Sequence, residues 1–196
     1  MIVLCEGPRG AGKSHLIDNF FAQNNDDRFM YYKWDFVSLV ETLGLEEKGE
    51  VIHYFSLANI LTILEMGNTI FKDKVLILDR SIFSAYVWAL YRKRLIRHEL
   101  ITEFMKILDS QLYSNCKLVY ITRDDGISDF NRGNKDIFDK YENYNLEKQE
   151  FDKLFSMFSE YIDKREAGNS NIIFNNMFNT KSQYEFNKLL GSFVDK

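Results

Sequence analysis

Gly7-Pro8-Arg9-Gly10-Ala11-Gly12-Lys13-Ser14, preceded by Met1-Ile2-Val3-Leu4-Cys5-Glu6, is the stretch around which the chain is organised. Its second part fits GxxxxGK[ST], the Walker A pattern of a phosphate-binding loop. The short apolar run before it predicts a buried strand. His15 to Phe21 predicts a helix after it, so the motif has the strand-loop-helix context it requires. Gly7, Gly10 and Gly12 let backbone amides curl around a phosphate. Lys13 is expected to reach the β- and γ-phosphates, and Ser14 to hold Mg²⁺ through its hydroxyl. The helix turns its positive end toward the anion. Together with Pro8, Arg9, Ala11 and His15, these residues form the expected nucleotide-binding set.

A chain of 196 residues predicts one domain. Its hydrophobic fraction of 45% is ordinary and permits a sizeable core. Phe and Tyr are plentiful, which predicts aromatic-heavy packing. The formal charge of −4 argues against a broad nucleic-acid surface but leaves room for a local basic groove. Cys5 and Cys116 have no metal-site spacing and read as buried free thiols. His15, His53 and His98 share no metal-ligand spacing either. No serine-histidine-acid set is apparent. No signal peptide or membrane span is visible, because the first apolar run is too short. The expected setting is a reducing cytoplasm, that of the host if the chain is viral, with no membrane partner.

Beyond the loop, Asn24 to Asp27 predicts a turn and Phe29 to Lys33 a second strand. Trp34 and Asp35 end that strand, where a β/α fold presents ligand-facing residues. Phe36 to Leu43 fits a short helix, and Gly44 to Gly49 a polar break. Val51 to Met66 fits a longer helix closed by Gly67 as C-cap. Val75 to Leu78 predicts a central parallel strand. Helices are expected from Ile82 to Arg92 and from His98 to Leu112, then a strand from Leu118 to Ile121. Residues 123–146 are charged and aperiodic and fit a lid or exposed insertion. Glu147 to Arg165 is helical in period, Ile172 to Phe174 a last strand, and Ser182 to Phe193 a closing helix. Five strands alternating with helices predict a three-layer α/β fold with a mostly parallel sheet.

Asp79 follows an apolar strand as a Walker B acid would. It is a candidate to bind Mg²⁺ or its water, or to accept a proton from the substrate hydroxyl. Arg80 is a candidate to balance charge on a transferring phosphoryl group. Ser81 reads as a helix cap. Arg132 and Lys135 are candidate mobile donors that lid closure would bring onto phosphate. Trp34 and Phe55 are candidates to flank a base by stacking. Arg92, Lys93, Arg94, Arg97 and His98 form a basic cluster. It reads as a solvated helix end, or as a docking patch for a polynucleotide end or for a second subunit in a homodimer.

Several runs, in this order, resemble the thymidylate kinase and deoxynucleoside kinase group of P-loop kinases. Glu6 to Ser14 resembles the group's opening motif. Asp79-Arg80-Ser81-Ile82-Phe83-Ser84 resembles its Asp-Arg-Tyr…Ser or Glu-Arg-Ser run. Asp139-Lys140-Tyr141-Glu142 resembles its lid segment, and Ile172 to Leu190 its last strand and helix. The resemblance implies a P-loop NTPase fold and ATP as donor, held with Mg²⁺ by the opening motif. It places Asp79, Arg80 and Ser84 at the acceptor, Arg132 near a lid arginine, and Lys140 in place of another. Arg9 stands where thymidylate kinases commonly carry an acid. As a pure donor, it suits an acceptor phosphate instead. Asn59 stands near the position of their phosphate-gripping arginine. Asp35 is the acid nearest Trp34, where deoxynucleoside kinases place a base glutamate.

These readings imply ATP- and Mg²⁺-dependent phosphoryl transfer to a deoxynucleoside monophosphate. The alternatives are a deoxynucleoside, a hydroxyl of DNA or a modified base as in phage-type DNA kinases, and an ATP-binding switch that transfers nothing. No Asn-Lys-x-Asp guanine signature is present.

Overall fold

Strands buried on both faces of a parallel sheet need apolar side chains at nearly every position, rather than at alternate ones. Ile2–Glu6 (β1) and Val75–Asp79 (β3) meet that demand, and all ten residues are buried. The structure is a computed structural model. It describes residues 1–8, 10–33, 42, 58–59, 62–63, 65–81, 83–84, 87, 116–122, 145–146, 148–154, 156, 172–176 and 179–194. Phe29–Lys33 (β2), Cys116–Thr122 (β4) and Ile172–Asn176 (β5) complete a sheet of order β2-β3-β1-β4-β5. Every pairing is parallel. β2 lies at an edge. It buries only Phe29 and leaves Lys33 exposed, as an edge strand can.

Helices pack on both faces. Lys13–Gln23 (α1) buries Lys13, Leu16, Ile17 and Phe20, a stripe at helical spacing headed by a lysine. Asn179–Gly191 (α2) contributes Phe186 and Leu190 to the same cluster, with Val3, Cys5, Val75, Ile77, Val119 and Ile121 from the sheet. Phe20 meets Phe29 and Phe186 edge-on, at centroid distances of 4.9 and 6.3 Å. Gln183 Nε2 donates to Leu16 O at 3.0 Å and ties α2 to α1. Because successive side chains alternate, Ile2, Leu4 and Glu6 face the other way. On that side, Gly67 lies against Ile2, and the ring of Phe151 lies 6.0 Å from that of Tyr120.

Several sequence expectations shift in detail. α1 begins at Lys13 rather than His15, and β4 extends the expected strand at both ends. Asn24 opens the expected turn, its Oδ1 accepting from the Asp26 amide at 2.9 Å. Gly67 does not cap its helix, since residues 65–69 are all helical. A Cβ there would sit 2.6 Å from Ile2 Cδ1, so the glycine serves close packing on the sheet. The expected helix at 36–43, apart from residue 42, lies outside the described residues, as do the helix at 98–112 and the basic cluster; of the lid expected at 123–146 only residues 145 and 146 are described, and both are helical. Among the described residues, no helix is long and apolar enough to cross a membrane.

Candidate functional site

The connection after β1 leads toward β2 on one side, and the one after β4 toward β5 on the other. Open parallel sheets carry ligand crevices where connections diverge in this way, outside the carboxyl ends of the strands. The loop from Gly7 to Gly12 sits there and feeds directly into α1.

Gly7 has φ 145°, and a Cβ on it would fall 2.0 Å from Ile121 O. The loop therefore starts pressed against the backbone of β4, where no side chain fits. Gly12, the N-cap of α1, has φ 88° in open space, so there the left-handed backbone itself calls for glycine. The first bond of the α1 ladder runs from Leu16 N–H to Gly12 O at 2.9 Å. The amides of Ser14 and His15 thus precede the ladder and belong to the helix's positive end.

Lys13 is buried in this loop, and its Nζ donates to Gly7 O at 2.7 Å and Pro8 O at 2.8 Å. A buried ammonium satisfied by loop carbonyls is a cation held where the loop closes. One residue on, Ser14 Oγ donates to Asp79 Oδ2 at 2.5 Å. Tyr31 Oη donates to the same oxygen at 3.2 Å. Asp79 reaches this point because β1 and β3 run in register, setting the last residue of β3 beside Cys5, one residue before the end of β1. Its other oxygen, Oδ1, is buried and has no hydrogen-bond partner among the described residues. Buried carboxylate oxygens are normally partnered. An orphaned one beside a serine hydroxyl fits a hard divalent cation, which takes oxygen ligands from one or two carboxylates and completes its shell with phosphate and water. Among the described residues, no group of three or more His, Cys, Asp or Glu side chains could hold a metal by itself.

A second polar cluster adjoins the first. Glu6, wholly buried at the end of β1, accepts hydrogen bonds from Ser81 Oγ on Oε1 and from Ser84 Oγ on Oε2, the latter at 2.5 Å. Arg80 Nη1 donates to Ser84 Oγ at 3.4 Å, and Arg80 N to Cys5 O at 3.0 Å. Arg80 has φ 77°, unusual for a residue with a side chain. Burial pushes the Glu6 carboxyl above its ordinary value, against the pull of the two serine hydroxyls and the charges of Arg80 and Lys13. Burial likewise raises the Cys5 thiol, reinforced by Asp79 and Glu6, and keeps it an inert core group. The Tyr31 hydroxyl is raised by burial and then by the Asp79 charge, so it stays a donor.

The structure thus brings together Gly7, Pro8, Gly10, Ala11, Gly12, Lys13, Ser14, Asp79, Arg80 and Ser84. His15 points away, exposed, with the Asn19 amide 3.0 Å from its Nε2. Asn59 is helical and half-buried, and no hydrogen bond joins it to the loop among the described residues. Arg9, Trp34, Asp35, Phe55, Arg132, Lys135 and Lys140 lie outside the described residues. Sequence reasoning missed Glu6 and Tyr31 as site groups. A lone acid ending an apolar run was the available signal for Glu6; a tyrosine in a strand gives none. No protein-family model matches the chain, and no curated protein matches it in sequence.

Proposed function

We propose that the chain is a magnesium-dependent phosphotransferase of the P-loop kinase fold. It moves a phosphoryl group from ATP to a deoxynucleoside monophosphate. The observation that carries this reading is the Lys13–Ser14–Asp79 arrangement. A buried ammonium, a hydroxyl and a carboxylate with one orphaned oxygen converge at the mouth of a glycine loop.

In this reading, Lys13 exchanges the carbonyls of Gly7 and Pro8 for phosphate oxygens, and the loop amides take the remaining charge. Ser14 and Asp79 would hold Mg²⁺, which when bound would supply positive charge against the phosphates. Tyr31 and Ser14 fix the Asp79 carboxylate through Oδ2, while Oδ1 has no partner among the described residues. Arg80 faces the transferring group from the β3 side, where its charge counts most in the transition state. Arg132, Lys135 and Lys140, outside the described residues, are the candidates to reach the transferred phosphate from the expected lid. Trp34, Asp35, Phe55, Asn59 and Ser84 belong to the acceptor side, with Arg9 gripping the acceptor phosphate.

The test is to incubate the protein with γ-labelled ATP and, separately, deoxynucleoside monophosphates, nucleosides and DNA oligomers. Label is expected on a monophosphate. Label on nucleosides alone or on DNA alone would replace the acceptor class. ATP binding with no transfer to any of them would leave a switch instead of an enzyme.

A further inference from the structure

We infer that Glu6 is a positioning residue: through Ser84 it sets the guanidinium of Arg80 and locks that arginine to the start of the phosphate loop. The inference rests on the proposed kinase reading, in which Arg80 acts on the transferring group. Three observations carry it. Glu6 is the last residue of β1, immediately before Gly7, so its backbone moves with the loop. Its two carboxylate oxygens are each taken by a hydroxyl from the segment after β3, one from Ser81 and one from Ser84. Ser84 Oγ is the shared atom of a relay, accepting from Arg80 Nη1 at 3.4 Å and donating to Glu6 Oε2.

The backbone of Arg80 explains why such a device is needed. A left-handed φ on a residue with a Cβ is held only where its surroundings over-determine it. Arg80 N–H is fixed on Cys5 O, one residue before Glu6, and Ser81 is fixed on Glu6 itself. The bent segment is therefore clamped to the end of β1 at successive residues. Ser84 cannot orient Arg80 alone, because a hydroxyl rotates to suit its neighbours. With Glu6 as acceptor, its proton is committed and its lone pairs face the guanidinium. A neutral, near-isosteric glutamine in place of Glu6 would present an amide N–H₂ to one of the serines and lose that commitment. Burying an ionised carboxylate disfavours the fold, so a purely structural glutamate here would be poorly chosen.

The experiment uses the full chain with Glu6→Gln, Ser84→Ala and the double variant. It reads steady-state kinetics, thermal melting and the Arg80 side-chain Nε–H signal, assigned through Arg80→Lys. The expected result is a loss of about 10²-fold in kcat on Glu6→Gln with the KM for ATP changed by less than about threefold, as misplacement of a catalytic group gives. The Arg80 signal moves, Tm does not fall, and Ser84→Ala reproduces the kinetic and spectral changes. The double variant then adds little to either single one. An unmoved Arg80 signal in Glu6→Gln, or unchanged kcat in a folded variant, would overturn the inference. If the unaltered chain transfers no phosphoryl group to any acceptor, the kinase reading falls. The Arg80 signal then decides the Glu6 link alone: movement in both single variants supports it, and no movement in either defeats it.

Discussion

Ser14 Oγ lies 2.5 Å from Asp79 Oδ2, joining the first turn of α1 to the last residue of β3 across 65 positions of sequence. Neither residue could make this contact without the parallel pairing of β1 with β3, which sets Asp79 beside Cys5. Tyr31 donates to the same oxygen from β2, so α1 and β2 converge on one side of the carboxylate that β3 carries. The opposite oxygen is buried and orphaned among the described residues. The sheet register thus produces the feature on which the functional reading turns.

Lys13→Ala should reduce kcat for phosphoryl transfer by about 10²- to 10³-fold while leaving the acceptor KM nearly unchanged, since charge stabilisation is strongest in the transition state. Acceptor-dependent ADP release at saturating and limiting acceptor measures the two separately. A raised acceptor KM at unchanged kcat would contradict the role given to Lys13.

Asp79→Asn should shift the Mg²⁺ concentration for half-maximal activity upward by about tenfold or more, because a carboxylate ligand becomes a neutral amide. Tyr31→Phe should act in the same direction more weakly. It removes one donor to Oδ2, with about 1 kcal/mol lost in stability. Activity titrated against Mg²⁺, and urea unfolding of the second variant, check both. Equal Mg²⁺ dependence in all three proteins would remove Asp79 from the metal site.

Gly7→Ala and Gly12→Ala should differ sharply. At Gly7 a Cβ would meet Ile121 O at 2.0 Å with φ 145°, so loop and β4 must separate. A loss of about 3 kcal/mol or more is expected there, as for other strained and overpacked sites. At Gly12 only the left-handed φ of 88° opposes the methyl. There a loss of about 1–2 kcal/mol is expected. Urea denaturation of the two variants gives the comparison.

Glu6 gives a pH dependence of known sign. Its carboxyl is raised above the ordinary 4.5 by burial, so folding favours the protonated form. Its contribution to stability is full below the unfolded value and is lost as pH rises through the folded one. A glutamine mimics the protonated acid and does not titrate. The stability of Glu6→Gln relative to the unaltered chain should therefore increase from about pH 4 upward, where an ordinary glutamate begins to ionise. A constant difference across that range would mean that Glu6 ionises in the folded protein as it does in water.

The first strand, the loop and the second strand are legible in the sequence for separable reasons. A saturated apolar run has one common use in an α/β chain, and Phe29 to Lys33 follows turn residues that mark where it starts. That Ser14 and Asp79 meet beside Lys13 is legible because their spacing and strand context fit a Walker A loop and a strand-end acid. Gly67 is not, because a glycine after an apolar stripe looks the same whether it ends a helix or lets the helix approach a neighbour. Only the position of Ile2, far away in sequence, separates the two. Glu6 and Tyr31 escape for the same reason, since their partners lie 75, 78 and 48 positions away.

Phosphoryl transfer itself is tested most directly by ADP release from the full chain with ATP and a panel of deoxynucleoside monophosphates, titrated with Mg²⁺ and repeated in EDTA. The expected release depends on an acceptor, saturates with Mg²⁺, vanishes in EDTA and is lost with Lys13→Ala. Release that ignores every acceptor, or that survives EDTA and the loss of Lys13, would contradict a magnesium-dependent kinase built on this loop.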